Sequence, residues 1–348
     1  MNITNSHPAT NAEWDEIWKN CDHATYFHSR EWAEIWQEYT KVSEQPYQYE
    51  PLIVSFSDGK RTLLPISSYA NRNGEQKEYI ASPAGTFGGW ISVNELTVKH
   101  YRLLISLLKE RYRPLLWRMN PYNEMELRAT PPDVKPETTS VLALTGNFED
   151  IFRRWSKGHK AAVNQARKAG VLIKQAESLD EWRGYYEVYC DSIRRWGETA
   201  TMRYPWKIFE VMQNCHSSNI KLWIALKNNN LIAGALCFYA KCHAVYWHGA
   251  ALDEYFSLRP VNLLLYEAIK DAHSAGFKWF DFNPSGHLEG VRAFKKSFGT
   301  VEKLCPAVVL KPVVNLRQKI RKTVGSALYR VRNNFSNAIH NIVPQNHS

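Results

Sequence analysis

Apolar positions along the chain repeat with two periods. Spacings of three and four mark helices: Trp14, Ile17 and Trp18 on one, then Trp32, Ile35, Trp36 and Tyr39 on a second that Ser29 can cap. Tyr47 to Phe56 and Arg61 to Tyr69 read as a hairpin across Ser57-Asp58-Gly59, followed by a short strand at Tyr79 to Ser82. Asn94 to Tyr112 predicts a helix and Leu115 to Met119 a strand; Asn120 to Thr138, rich in Pro and polar residues, reads as a crossing between domains. Phe148 to Trp155 is helical, and Ser156 can cap a further helix closed by Gly170. Val171 to Ala176 is a strand, Leu179 to Trp196 a long helix, and Tyr204 to Cys215 another with Pro205 at its start. A hairpin turns at Asn228-Asn229-Asn230, Ala244 to Gly249 adds a strand, and Arg259-Pro260 opens a helix ended by Gly276.

The most informative stretch is Lys278 to Gly299. Aromatic residues make a strand of Trp279 to Phe282, and Asn283-Pro284-Ser285-Gly286 stops it. Strand alternation puts Trp279, Asp281 and Asn283 on one face and Phe280 and Phe282 on the other. A short helix follows, with Phe294 and Phe298 facing the core and Arg292, Lys295 and Lys296 beside the turn. An acid, free backbone amides and a cationic helix in one place suit chemistry on anions and carbonyls. On pattern alone, the plainer reading of a buried strand followed by a surface helix is better supported.

The order of blocks adds a family likeness. Phe280-Asp281-Phe282, then Gly290 and Phe294-Lys295-x-x-Phe298-Gly299, resembles the C-terminal signature of the Fem-type acyltransferases. These double-GNAT proteins include peptidoglycan-bridge aminoacyltransferases and BioF-like acetyltransferases. Tyr26 to Trp32 resembles their N-terminal aromatic-Gln-Ser-x-x-Trp segment, Ser156 to Val171 their basic helix, and Tyr185 to Trp196 with Tyr204-Pro205 the helix pair that follows. The resemblance spans residues 25 to 310, weakly at first and well from Ser156. It implies an α+β fold of two tandem GNAT-like domains, 1–138 and 139–312, with the acyl site in the second and a basic amphipathic tail at 313–348.

The resemblance also implies N-acyl transfer, with Lys295 at the acyl site. The acyl donor is acetyl-CoA or another acyl-CoA, or alternatively aminoacyl-tRNA; the acceptor is an amine of a small molecule or of a lipid-linked glycan or cell-envelope precursor. Asp281 and Glu289 are the carboxylates proposed beside Lys295 for catalysis, and His248 and His287 are imidazole alternatives for the base. Arg292, Asn283, Ser285, Trp32, His248, Lys157 and Lys160 are the substrate-binding candidates. Two departures matter. Asp253 to Pro260 lacks the Gly-x-Gly/Ala cradle that acetyl-CoA-binding GNAT units usually place before this helix, although a helix N-terminus can still hold an anion. Trp36 stands near the position where bridge-forming enzymes carry a phosphate-binding Lys, and no sustained heptads mark a coiled-coil insertion.

Composition narrows the picture. Thirteen Trp, eighteen Tyr and fourteen Phe in 348 residues supply a large core. No run is apolar enough to span a bilayer, the N-terminus does not read as a signal peptide, and six cysteines without a Cys-x-x-Cys pair point to a reduced, cytoplasmic, metal-free protein. The Cys237, Cys242, His243 and His248 group reads as buried thiols and rings rather than a metal site. Of the net charge of +10, seven Lys or Arg fall between Ile151 and Lys174 and seven from Lys311 onward, with no acid in either stretch. Two such surfaces imply anionic partners: phosphate-bearing substrates, tRNA or lipid headgroups. From Val313, Leu316, Ile320, Val324 and Leu328 make the stripe of a cationic amphipathic helix that either packs on the protein or docks peripherally on the inner face of the cell membrane. A non-catalytic double-GNAT module binding nucleic acid through the basic helix is the third reading.

Overall fold

In a computed structural model, the first half runs β1 (Ile3–Pro8), α1 (Asn11–Asn20), α2 (Arg30–Thr40), β2 (Gln48–Tyr49), β3 (Leu52–Phe56), β4 (Arg61–Leu64), β5 (Ser67–Ala70), β6 (Lys77–Ile80), α3 (Val98–Arg111), β7 (Leu115–Arg118) and α4 (Glu124–Ala129). The structure describes residues 1–311 apart from 72, 73, 75, 82, 131–133, 135, 198–202 and 287. His287 and the tail from Val313 therefore lie outside the described residues. The second half continues β8 (Thr138–Ala143), α5 (Phe148–Arg153), α6 (Lys157–Lys168), β9 (Leu172–Gln175), α7 (Leu179–Trp196) and α8 (Trp206–Asn214). Then come β10 (Ile220–Lys227), β11 (Asn230–Ala240), β12 (His243–Ala251), α9 (Pro260–Ser274), β13 (Trp279–Pro284), α10 (Glu289–Lys296), β14 (Val301–Leu304) and β15 (Ala307–Leu310). Met1–Val309 make one compact unit, and a second begins at Leu310.

Caps explain where several helices begin. Ser29 accepts from the Trp32 amide at 3.1 Å and Ser156 from the His159 amide at 3.2 Å. Ser178 and Glu181 form a capping box at the start of α7. The expected hairpin of residues 47 to 69 is divided: β3 and β4 pair within a three-stranded sheet with β1, whereas β2 and β5 pair in a five-stranded sheet of order β15-β7-β6-β5-β2. Pro51 and Pro65 stand at the break, where a residue without an N–H interrupts a ladder at least cost. The expected crossing after β7 holds α4, which Asn123 caps by accepting from the Glu126 amide at 3.2 Å.

The second half is a seven-stranded sheet of order β14-β8-β13-β12-β11-β10-β9. On one face, Ile151, Val163, Leu264, Ile269 and Phe298 pack over Phe280 and Phe282. On the other, Tyr185, Ile208 and Phe209 meet Trp32, Trp36 and Phe27 from the first half. That shared aromatic core explains why the first half closes on the second rather than folding away from it. Within this sheet the strand pairs are antiparallel except β12 with β13, which run parallel and pair only at His243–Trp279, Ala244–Phe280 and Val245–Asp281. Beyond those residues the two strands part, and β12 slips register where Trp247 is left without a partner on β11.

Candidate active site

The site is built on the end of β13. Phe280 and Phe282 anchor the strand in the core at 0% and 1% exposure, which turns Asp281 to the opposite face. There Asp281 is sealed from water yet accepts three hydrogen bonds: from the Thr139 hydroxyl at 2.5 Å, the Tyr122 hydroxyl at 2.8 Å and the Asn283 amide at 2.8 Å. Burial pushes its pKa up to about 6, while these donors and Lys295 favour the charged form. Asn283 follows in a left-handed conformation, φ 60°, which an Asn tolerates better than most residues. Its carbonyl turns toward α10, and its side-chain Oδ1 is buried without a hydrogen-bond partner among the described residues.

Lys295 reaches back from α10 to this turn. Its ammonium donates to the Asn283 carbonyl at 2.7 Å and the Pro284 carbonyl at 3.4 Å. It is only 5% exposed, and burial lowers its pKa to about 8, with Asp281 acting to raise it. An ammonium has three N–H donors, so one is left over. The aromatic residues on either side set this direction: Phe298 is fully buried, and His159 of α6 packs on both Phe294 and Phe298.

Where the chain leaves β13 at Ser285 and enters α10, a cleft of about 820 Å³ opens. Ser285, Gly286, Leu288, Glu289 and Arg292 line one side, Pro136, Glu137, Thr138 and Ser140 another, with Ala307 and Val309. Arg292 donates to the Thr138 hydroxyl at 3.1 Å and pairs with Glu302 at 3.1 Å. The fold thus gathers Asp281, Asn283, Lys295, Ser285, Glu289 and Arg292 into one region. It places Trp32 and His248 elsewhere, in the aromatic core. Trp32 packs on Phe238 and Trp247, and His248 Nδ1 is hydrogen-bonded with the Tyr185 hydroxyl at 2.6 Å. Burial holds that imidazole neutral, with a pKa of about 3. Lys157 and Lys160 sit on the first turn of α6, where Lys160 donates to the Arg153 carbonyl at 2.9 Å; neither lines the cleft.

Two contributors carry no sequence signal. Tyr122 lies 159 residues from Asp281 and Thr139 lies 142 away, and nothing local to either residue announces the contact. Before α9, where acetyl-CoA-binding units place a glycine cradle, residues Asp253–Leu258 form a 3-10 turn whose acids Asp253 and Glu254 face outward. Arg259 caps α9 in a left-handed conformation, φ 57°.

Comparison with known proteins agrees with this architecture. Residues 153–296 match the family described as an acetyltransferase (GNAT) domain. The crystal structure of FemX is similar over 92% of this chain and the whole of its own, with 13% identity and a TM-score of 0.66. The C-terminal domain of a putative lysylphosphatidylglycerol synthetase from Agrobacterium fabrum is similar over 87% of this chain and 93% of its own, at 9% identity and a TM-score of 0.53. A conserved protein of unknown function from Bacteroides thetaiotaomicron covers 88% of this chain and 99% of its own, at 14% identity and a TM-score of 0.54. No curated protein matches the sequence. The chain carries a GNAT domain and has the α+β fold of the Fem-type double-GNAT proteins.

Proposed function

We propose that the protein is an N-acyltransferase that moves an acyl group, acetyl from acetyl-CoA, onto an amine of a small or glycan-bearing cell-envelope precursor. The observation that carries this reading is the buried ammonium of Lys295 held on the Asn283 and Pro284 carbonyls, directly before Ser285 and Gly286 of the cleft wall. In the transfer, the acceptor nitrogen attacks the acyl carbon, a C–N bond forms and the carbonyl oxygen gains negative charge. Collapse then expels the donor's thiol, and the acceptor ammonium must lose a proton. Lys295, with its third N–H, is the group that meets the oxyanion. Asp281 has three donors already and no exposed surface, so it serves as the counter-charge of Lys295 rather than the base. Of the two carboxylates on the cleft wall, Glu137 is paired with Arg118, so Glu289 takes the proton; Arg292 and Ser285 bind donor or acceptor oxygens beside it.

In this reading residues 1–138 and 139–312 are the two GNAT-like halves, and the basic tail from 313 holds the enzyme on an anionic membrane near a lipid-linked acceptor. Full-length protein should then sediment with anionic vesicles at low salt, and a chain ending at Pro312 should not.

A second donor, aminoacyl-tRNA, is favoured by one feature. Asp253 and Glu254 stand ahead of α9, where they would repel a CoA pyrophosphate. Titration calorimetry followed by a transfer assay, with acetyl-CoA against aminoacyl-tRNA, separates the donors. Binding and turnover with acetyl-CoA supports the first reading, and turnover only with aminoacyl-tRNA the second. A folded protein that transfers from neither refutes acyl transfer.

A further inference from the structure

We infer that Tyr122, in the turn before α4, is a positioning residue for the acyl site: its hydroxyl holds the Asp281 carboxylate opposite Lys295. The effect expected on rate rests on the proposed acyl transfer; the contact itself rests on geometry alone.

The three donors to Asp281 come from three places. Thr139 is on β8 and the Asn283 amide belongs to β13 itself, whereas Tyr122 comes from the first half of the chain. Its ring has little freedom to move. It lies 3.9 Å from the His243 ring and 6.1 Å from that of Trp279, measured between centroids, and its own amide donates to the Asn120 side chain at 3.1 Å. The same residue walls a separate hollow of about 350 Å³ together with His23, Tyr101 and Asn123. A Phe at this position would keep the packing and the wall and remove only the O–H.

The groups around Asp281 leave one strong charge facing it. Lys295 approaches from α10, and Cys305 from the link after β14. Burial keeps the Cys305 thiol protonated, with a pKa pushed up to about 12, despite Arg118 beside it; Arg118 is in turn paired with Glu137 at 2.6 Å. Behind Tyr122, burial keeps His243 neutral at about 3, and the Lys303 ammonium lies over the Tyr122 and Trp279 rings at 5.7 and 4.9 Å. The Tyr122 O–H therefore stabilises the ionised form of Asp281, and that ion keeps Lys295 charged. Without the O–H, Asp281 holds its proton to higher pH and Lys295 loses its counter-charge.

The test is Tyr122→Phe in the full chain, read in two ways. Titration of the Asp281 carboxyl carbon by NMR should show its midpoint moved up by about one pH unit. In the transfer assay kcat should fall about ten-fold with KM within about two-fold, and the acidic limb of the pH profile should move up with the carboxyl. Replacing Tyr122 by 3-fluorotyrosine, a stronger donor of the same shape, should move the midpoint down, and this readout remains if the Phe variant does not fold. A merely structural Tyr122 would lower the melting temperature and leave the Asp281 midpoint in place; an unmoved midpoint in the folded variants overturns the proposal. A wild type inert with every donor would instead refute acyl transfer, and the NMR titration would still decide the role of Tyr122.

Discussion

Asp281 and Glu126 are carboxyls buried equally well in the two halves of the chain, at 0% and 1% exposure. Their surroundings differ. Asp281 has three donors within 2.8 Å and Lys295 nearby, and burial raises its pKa only to about 6. Glu126 has two long contacts, the Trp90 amide at 3.5 Å and the Asn123 side chain at 3.3 Å. Burial pushes it to about 8, and its carboxyl lies against the backbone of Gly89, where an added Cβ would come within 2.8 Å. Burial alone therefore does not fix the charge of a carboxyl; what distinguishes Asp281 is a set of donors and a cation arranged to keep it charged. Glu126 is held neutral at pH 7, as a structural acid.

The largest effect should come from separating the two by pH. Between its ordinary value of 4.5 and about 8, folded Glu126 holds a proton that the unfolded chain has lost. Stability from this group is thus fully present at low pH and falls as pH rises through that window. Glu126→Gln should gain on wild type by up to about 4 kcal/mol between pH 5 and pH 9, as an upper bound from the shift. Urea denaturation at both pH values checks it; a difference independent of pH would mean that Glu126 is ionised in the fold. Its transfer rate should stay within about two-fold of wild type.

Lys295→Ala should act on rate instead. Loss of a cation aimed at the oxyanion costs about 2–4 kcal/mol of transition-state stabilisation, or about 30- to 1000-fold in kcat. Circular dichroism should show the fold retained. Turnover equal to wild type, with any donor that wild type accepts, would remove Lys295 from the site. The pH profile sharpens the contrast further. Below about 6 Asp281 takes up a proton, and above about 8 Lys295 loses one, so transfer should be bell-shaped with limbs near those values. In Glu126→Gln both limbs should stay where they are.

Much of the site's scaffold is legible in the sequence, because it depends on neighbours close in the chain. The alternation of Phe280, Asp281 and Phe282, the turn at Asn283-Pro284 and the four-residue spacing of Phe294 and Phe298 all rest on local rules, and the structure follows them. The Ser29, Ser156 and Ser178 caps are local in the same way. Features decided by distant contacts are not legible. Residue spacing puts Lys295 beside the turn, but its burial depends on carbonyls exposed by the left-handed Asn283. Tyr122 and Thr139 have no signal because their partner is more than 140 residues away. β1, with the sequence ITNSHP, has too little apolar alternation to read as a strand, and pairing with β3 decides it. Trp32 and His248 illustrate the opposite limit: residue type suggests ligand contact, and the fold sets them among Phe238 and Tyr185 in the aromatic core, off the lining of the cleft beside α10.

The smallest effect should fall on Arg292, where cleft and solvent meet. Its guanidinium is about half exposed, pairs with Glu302 at 3.1 Å and donates to the Thr138 hydroxyl at 3.1 Å. An exposed pair of this kind contributes at most about 1 kcal/mol to stability, so Arg292→Lys should melt close to wild type. Binding is another matter, because a planar fork can grip a phosphate or carboxylate through two bonds at once and an ammonium cannot. If Arg292 holds a donor phosphate at the cleft wall, Arg292→Lys should raise the KM for the donor by about three- to ten-fold and leave kcat nearly unchanged, since a contact made equally in ground and transition states shows in KM. Lys295→Ala should give the reverse, a loss in kcat with little change in KM. If Arg292→Lys lowered kcat instead, the guanidinium would belong with the reacting atoms. A donor KM equal to that of wild type would assign Arg292 to joining α10, β8 and β14 through Thr138 and Glu302, with no part in binding.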